Sequence, residues 1–117
     1  MTTRDVLEGM PDSDPDDAGE REDQRLMRQI AVGDSDAFSQ LVDKYQQPLM
    51  TFCFSFLREY TSAEDMTQET FLRVFRNAAR YEPTAKFTTW LYRIAANLCI
   101  NELKKRKLRA QIGRAHV

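Results

Sequence analysis

The sequence predicts an all-α protein, a compact bundle of about four helices with a disordered acidic N-terminal tail. The first observation is composition, because the 117 residues include only 4 Gly and 4 Pro while helix-forming residues are plentiful. The second is periodicity, because apolar residues recur at steps of three and four along most of the chain. The third is length, which allows one domain with a modest core.

The N-terminal segment 1–22 is predicted to be a disordered acidic leader, because it combines few apolar residues with high charge. Residues 1–23 carry nine acidic and two basic side chains. Residues 24–117 carry 15 basic and nine acidic side chains, and residues 99–117 carry six basic and one acidic. A basic body favours a polyanionic partner such as nucleic acid, and a solvated charged face is the alternative.

The helical domain is predicted to span residues 23–108, and its first helix begins near Asp23. Leu26 and Ile30 form a short apolar stripe on this helix, with Met27 beside them. Gly33 ends the helix, because glycine is the usual residue just after a helix C-terminus.

The second helix is predicted to begin after a cap at Asp34 or Ser35 and to continue to about Leu57. Pro48 lies inside this pattern, where it either kinks the helix or starts a new segment. The apolar positions that define one face of the helix are Phe38, Leu41, Val42, Tyr45, Leu49, Phe52, Cys53 and Phe56.

The third helix is predicted to begin at Ser62, because Ser62 and Asp65 have the spacing of a capping box. It runs to about Arg80, and a loop at 81–85 follows because Pro83 disfavours helix at the residue before it. Its predicted inner face comprises Met66, Thr70, Phe71, Val74, Phe75 and Ala78.

The fourth helix is predicted to run from about Phe87 to about Lys107, with residues 109–117 as the start of a linker or a tail. Its predicted core face comprises Phe87, Leu91, Ile94, Ala95 and Leu98. A second stripe, about a quarter of a turn away, comprises Trp90, Arg93, Asn97, Asn101 and Lys104.

The second stripe combines an aromatic ring, amides and cations, which suits a nucleic-acid surface. Asparagine can hydrogen-bond base edges, arginine and lysine hold phosphate, and tryptophan can stack on a base. The basic run at 104–107, which includes Lys105 and Arg106, extends the stripe. An ordinary polar helix face with Trp90 at the edge of the core is the alternative.

A different surface is predicted on the third helix, where Asp65, Gln68 and Glu69 share one face. This acidic face repels DNA but can dock a basic protein surface. The alternative is a solvated first turn that the helix dipole favours.

Catalysis, metal binding and membrane insertion find no support in the sequence. No glycine-rich phosphate loop, HExxH or GxSxG motif occurs, and the single histidine, His116, lies in the tail. Cys53 and Cys99 are expected to be small buried hydrophobes, and two Cys with one His cannot form an ordinary zinc site. No apolar run reaches the roughly 20 residues of a transmembrane helix, and the acidic N-terminus does not resemble a signal peptide.

Three motifs together resemble region 2 of bacterial sigma factors of the extracytoplasmic-function (ECF) group. Residues 63–73, AEDMTQETFLR, resemble the family signature AEDLxQETFLR, and residues 87–97, FTTWLYRIAAN, resemble its tryptophan-containing signature. Residues 36–45, DAFSQLVDKY, resemble its first conserved helix. The resemblance covers about residues 23–108, and the second helical domain of these factors, region 4, has no counterpart, so we expect a fragment.

The resemblance implies a role for each matched position. Asp65, Gln68 and Glu69 match the face that binds the clamp helices of the RNA polymerase β′ subunit. The positions that match the DNA-binding segment are Phe87, Thr88, Thr89, Trp90, Arg93, Asn97, Asn101, Lys104, Lys105 and Arg106. Among these, Asn97 and Asn101 match readers of the minus-ten promoter element, and 87–89 with the loop 81–86 match the pocket for an extruded base.

The predicted function is therefore that of a cytoplasmic bacterial sigma-factor module without enzymatic activity, cofactor or metal. Its expected partners are core RNA polymerase, promoter DNA (chiefly the non-template strand) and an anti-sigma factor. Two alternatives stay open: a helix-turn-helix regulator that reads duplex DNA, and a helical protein-interaction domain without nucleic-acid binding.

Overall fold

The computed structural model describes residues 17–115, with side chains described for residues 18–113. Within this part of the chain, four α-helices and one 3₁₀ turn follow each other and no strand occurs. The elements are α1 (Asp17–Ala31), α2 (Ser35–Leu57), α3 (Tyr60–Asn77), the 3₁₀ turn (Ala78–Arg80) and α4 (Phe87–Ala115). The predicted all-α bundle is confirmed. No helix of the described part is long and apolar enough to cross a membrane.

Helix α2 is the centre of the bundle, since it packs against α1, α3 and α4. Burying its apolar face there supplies the main driving force for assembly, as expected for a helix with this period. The buried apolar cluster comprises Leu26, Met27, Ile30, Ala37, Leu41, Tyr45, Leu49, Cys53, Leu57, Ala63, Phe71, Val74, Ala78, Phe87, Leu91, Ala95 and Cys99.

The turn between α1 and α2 follows the local signals in the sequence. Gly33 has a φ of +92°, a conformation that disfavours residues with a Cβ. Asp34 caps α2, because its side chain accepts a hydrogen bond from the Ala37 N–H at 3.1 Å. Pro48 lies on the exposed side of α2, and the helix continues through it to Leu57 without a break.

Helix α3 begins at Tyr60, two residues before the predicted cap at Ser62. The Ser62–Asp65 capping box is therefore wrong, and Glu59 occupies the cap position without a side-chain bond. Ala63 is fully buried and its N–H donates to the Glu59 carbonyl, so core packing starts the helix earlier. Phe75, which was predicted on the inner face, is about half exposed and packs edge-on against Phe38.

Both ends of the helical domain extend beyond the predicted boundaries. Helix α1 begins at Asp17, so residues 17–22, assigned to the disordered leader, are helical, and residues 1–16 lie outside the described part. Helix α4 continues past Lys107 to Ala115, so most of the predicted tail is helical as well.

Asp23 joins α1 to α2. Its carboxylate is only 2% exposed and accepts hydrogen bonds from Lys44 Nζ, at 2.7 Å, and from the Tyr45 hydroxyl. These two partners on α2 compensate the buried charge. This acidic residue, predicted at the start of the first helix, is therefore part of the α1–α2 interface.

Candidate nucleic-acid interface

Helix α4 carries most of the predicted DNA-binding residues, and its core face orients them. Phe87, Leu91 and Ala95 recur every four residues and are fully buried. This anchoring turns the stripe of Trp90, Asn97 and Asn101 toward α3. Ile94 and Leu98, which were predicted in the core, lie at its edge and are partly buried.

A groove of about 430 Å³ lies between the C-terminal end of α3, the loop 81–86 and α4. The structure brings three of the predicted DNA-binding side chains together in it: Trp90, Asn97 and Asn101. The opposite wall contains Arg73, Asn77 and Arg80, cationic and amide side chains that were not predicted as site residues. The other lining residues are Tyr81, Glu82, Thr84, Ile94 and Leu98.

The aromatic end of this groove is formed by Tyr81 and Trp90. Their ring centroids are 4.8 Å apart, and the Phe87 ring lies 6.1 Å from Tyr81 and 5.8 Å from Trp90. The Tyr81 hydroxyl is buried and has no hydrogen-bond partner among the described residues. Burial, together with the charges of Glu20 and Asp23, raises the pKa of Tyr81 to about 12. The groove thus offers two half-buried rings next to polar side chains.

Several predicted DNA-binding residues do not line the groove. Phe87 is fully buried and packs against Tyr45. It therefore lies beneath the residues that line the groove and cannot touch a ligand. Thr88 and Thr89 are partly buried in the first turn of α4, and Arg93 is exposed on the same helix. At the start of α4, Trp90 is therefore the first residue that lines the groove.

Arg106 has a different position from its neighbours Lys104 and Lys105. Its guanidinium donates to the Leu57 carbonyl at 2.9 Å and lies 3.6 Å from Glu59 and 3.8 Å from Glu102. These contacts fasten α4 to the α2–α3 junction. The geometry disfavours the phosphate contact that was predicted for Arg106, whereas Lys104 and Lys105 are exposed.

A second groove, of about 620 Å³, lies where the acidic face of α3 meets the basic end of α4. Asp65 and Glu69 line it together with Lys104 and Lys105, whereas Gln68 is exposed outside it. The remaining lining residues are Met66, Arg73, Leu98, Asn101 and Glu102. The two surfaces that the sequence suggested are therefore neighbours.

Glu69 is already paired within its own helix. Its carboxylate lies 3.4 Å from the Arg73 guanidinium and 3.7 Å from that of Arg76. Both contacts are partly exposed, so each contributes little stability but orients the carboxylate. Since Arg73 lines both grooves, this pair connects them.

The first backbone N–H of α4 is capped by a distant residue. Both carboxylate oxygens of Glu20 accept a hydrogen bond from the Phe87 N–H, at 2.9 and 3.0 Å. The contact spans 67 positions of sequence, so no local signal could have predicted it.

The two cysteines face each other inside the bundle, both fully buried. The hydrogen bond between the thiols lowers the pKa of Cys53 and raises the pKa of Cys99. This placement agrees with the expectation of small buried hydrophobes. Among the described residues, no group of three or more His, Cys, Asp or Glu side chains is placed to hold a metal ion.

The comparison with protein families matches residues 41–109 to the model described as Sigma-70 region 2. The ECF RNA polymerase sigma factor SigW of Bacillus subtilis is 40% identical over 83 residues, which cover 71% of this chain and 44% of SigW. The RNA polymerase sigma-H factor of Pseudomonas aeruginosa is 36% identical over 87 residues, which cover 74% of this chain and 45% of that factor.

A solved structure supports the same relationship. The NMR structure of an engineered region 2 of sigmaE in complex with GTAAAA superposes with a TM-score of 0.68 and 33% sequence identity. The match covers 74% of this chain and 90% of that chain. The chain spans less than half the length of the two curated relatives described above.

Proposed function

Since the chain belongs to the Sigma-70 region 2 family, we propose that it binds core RNA polymerase and recognises and melts the minus-ten promoter element. Its curated relatives include ECF sigma factors, which agrees with the three motifs in the sequence. The role is one of binding without catalysis, exerted in the bacterial cytoplasm where polymerase acts. An anti-sigma partner stays a prediction from the family resemblance.

The observation that carries the proposal is the groove between α3 and α4. Asn97 and Asn101 lie on one wall with Trp90, and Arg73 and Arg80 lie on the other side. Amides read base edges, and guanidinium groups neutralise phosphate. The relative described above was solved in complex with GTAAAA, a sequence of the kind that such amides and cations could contact. We therefore assign base recognition to Asn97 and Asn101.

The aromatic end of the groove is assigned to an extruded base. Removing a base from the stack costs a few kcal/mol, which a stacking surface can offset. Tyr81 and Trp90 supply two rings, and Thr84 supplies a hydroxyl near them. Phe87 holds these rings from inside the core, which assigns it a supporting role.

The polymerase-binding surface is assigned to Asp65, Gln68 and Glu69 on α3. Asp65 and Gln68 are exposed, and Glu69 is partly exposed beside Arg73. A basic or amide-rich helical surface is complementary to this face. Because it adjoins the basic end of α4, polymerase and DNA would contact neighbouring sides of the same module.

The proposal is tested by titrating the chain, alone and bound to bacterial core polymerase, with fluorescein-labelled DNA. The probes are a pool of random single-stranded decamers, the hexamer GTAAAA, and a random duplex. Asn97→Ala is expected to weaken single-strand binding about tenfold, the loss of one amide–base contact, with polymerase binding retained. Gln46→Ala, an exposed amide on α2, is the matched control and should match the wild type.

The double variant Gln68→Ala/Glu69→Ala should show the reverse pattern, with weaker binding to isolated β′ clamp helices and unchanged binding to the decamers. Circular dichroism confirms that each variant is folded. A preference for duplex over single strands would support the helix-turn-helix alternative instead. Failure to bind any probe, with or without polymerase, would favour a protein-interaction domain and overturn the proposal.

A further inference from the structure

The residue before α4 cannot cap the helix with its side chain. Lys86 stands before the helix, and a lysine side chain has donors but no acceptor for the N–H groups of the first turn. Its carbonyl accepts from the Trp90 N–H at 3.2 Å. The first turn, Phe87, Thr88 and Thr89, contains no acidic residue. The first N–H groups of a helix have no partner within the helix and carry its positive dipole end. Glu20 on α1 supplies the missing acceptor at Phe87.

The Glu20 carboxylate is held in place from its own side. Gln24, one turn later on α1, donates a hydrogen bond to Glu20 Oε1 at 2.9 Å. Asp23 anchors the same turn of α1 to Lys44 and Tyr45 on α2. A carboxylate fixed at this point restrains the start of α4 relative to α1 and α2.

The residue that Glu20 holds is the base of the aromatic end of the groove. The Phe87 ring contacts Tyr45 at 5.6 Å, and on its other sides it meets Tyr81 and Trp90. A shift of the first turn of α4 would therefore move Trp90 and Tyr81 relative to Asn97 farther along the groove. An acidic residue of α1 thus bonds to the backbone of the turn that carries these side chains.

We propose that Glu20 is a positioning residue for DNA binding, which caps α4 and holds the Tyr81–Trp90 end of the groove in register with Asn97. This inference rests on the proposed function of the groove. The positioning role and the charge of Glu20 predict opposite effects on DNA affinity when this residue is removed. Removing a negative charge from a DNA-binding protein ordinarily tightens DNA binding. Removing Glu20 is expected to weaken it.

Glu22 provides a matched control on the same helix. It carries the same charge, but its partner is Arg25 on α1 itself and it makes no described hydrogen bond to α4. Glu20→Ala and Glu22→Ala therefore remove equal charge, and only the first removes the cap. Glu20→Gln keeps an oxygen that can accept from Phe87 and serves as the conservative variant.

The experiment measures fluorescence anisotropy of the full chain with the single-stranded decamer that selection from a random pool returns. Glu20→Ala is expected to weaken binding about fivefold, in line with the loss of one helix cap. Glu20→Gln should recover part of this loss, and Glu22→Ala should bind as well as or better than the wild type. Affinity for the isolated β′ clamp helices should be the same in all four proteins.

Hydrogen exchange at the Phe87 amide adds a local measurement, since its protection should fall in Glu20→Ala and not in Glu22→Ala. Equal DNA affinity for Glu20→Ala and Glu22→Ala would overturn the positioning role while leaving the proposed function intact. A parallel loss of DNA and clamp-helix binding would also overturn it, because that pattern indicates general destabilisation. If the wild-type chain selects no decamer, the proposed function itself fails.

Discussion

Asp23 and Glu20 bond to partners that no local pattern in the sequence predicts. Glu20 was assigned to the solvated acidic leader, and Asp23 was placed at the start of the first helix without a partner. Their partners, Lys44 and Tyr45 for Asp23 and the Phe87 N–H for Glu20, lie 21, 22 and 67 positions away. The composition of a segment gives its net charge, but it does not indicate which residues far along the chain will bond to its side chains. These roles could therefore be found only once α1, α2 and α4 were packed together.

Ionisation of the Tyr81 hydroxyl makes the stability of the fold depend on pH in the alkaline range. Its pKa is raised to about 12 by burial, and by the charges of Glu20 and Asp23, from an ordinary value near 10. A raised pKa in the folded state contributes stability that is full below pH 10. This contribution is lost as the pH rises from about 10 to about 12, because the unfolded chain ionises first.

We therefore expect the urea midpoint of the wild type to fall more steeply between pH 10 and pH 12 than that of Tyr81→Phe. Comparison with Tyr81→Phe removes the contributions of Tyr45 and Tyr92, whose pKa values burial also raises. Absorbance at about 295 nm follows tyrosinate formation over the same range. Identical pH profiles for the two proteins would show that Tyr81 ionises as freely as in the unfolded chain.

Helix α4 shows what periodicity can and cannot predict at the scale of an element. Its apolar spacing predicted the burial of Phe87, Leu91 and Ala95, and the second stripe correctly grouped Trp90 with Asn97 and Asn101. Periodicity describes one helix, so it could not identify the opposite wall formed by α3 and the loop. It also could not show which cation of the 104–107 run points at a neighbouring helix end.

Arg106 is expected to stabilise the fold and Lys104 and Lys105 to bind phosphate. Arg106→Ala removes a charged hydrogen bond to the Leu57 carbonyl and should lower the free energy of unfolding by about 1.5–3 kcal/mol, measured with urea. The slope of log affinity for single-stranded DNA against log salt should stay unchanged. In Lys104→Ala/Lys105→Ala, unfolding should be nearly unaffected and the slope should become shallower by about 1.4.

Lys107→Ala is the control for Arg106→Ala, because Lys107 is an exposed cation of the same run. The assignment is contradicted if Arg106→Ala leaves stability unchanged and reduces the salt slope by about 0.7, the value for one phosphate contact on a single strand. That result would return Arg106 to the predicted DNA-binding set. It would also mean that the ion pairs with Glu59 and Glu102 contribute nothing measurable.

At the scale of the whole molecule, charge is divided between an acidic N-terminal stretch and a basic body. Residues 24–117 carry 15 basic and nine acidic side chains, although the net charge of the chain is only −1. The groove that contains Trp90 and Asn97 adjoins the groove at the acidic face of α3, and Arg73 and Asn101 line both. The sequence predicted both surfaces, but their adjacency depends on how α3 packs against α4.

Residues 1–16 carry five acidic and one basic side chain, so their charge opposes DNA binding by the basic body. Removing them, with Glu20 and the rest of α1 retained, is expected to tighten single-strand binding at low salt. Long-range repulsion is screened as the Debye length falls from about 30 Å at 0.01 M to about 3 Å at 1 M salt. The difference from the full chain should therefore shrink steadily as salt is added, in the same anisotropy titration.

A full-length variant in which the five acidic residues of 1–16 become Asn or Gln separates charge from chain length. If repulsion alone operates, this neutral variant should bind DNA like the shortened chain at every salt concentration. Equal affinity of all three proteins at low salt would show that the leader charges do not reach the groove. A gain that persists at 1 M salt in the shortened chain alone would indicate that residues 1–16 occupy part of the groove through uncharged contacts.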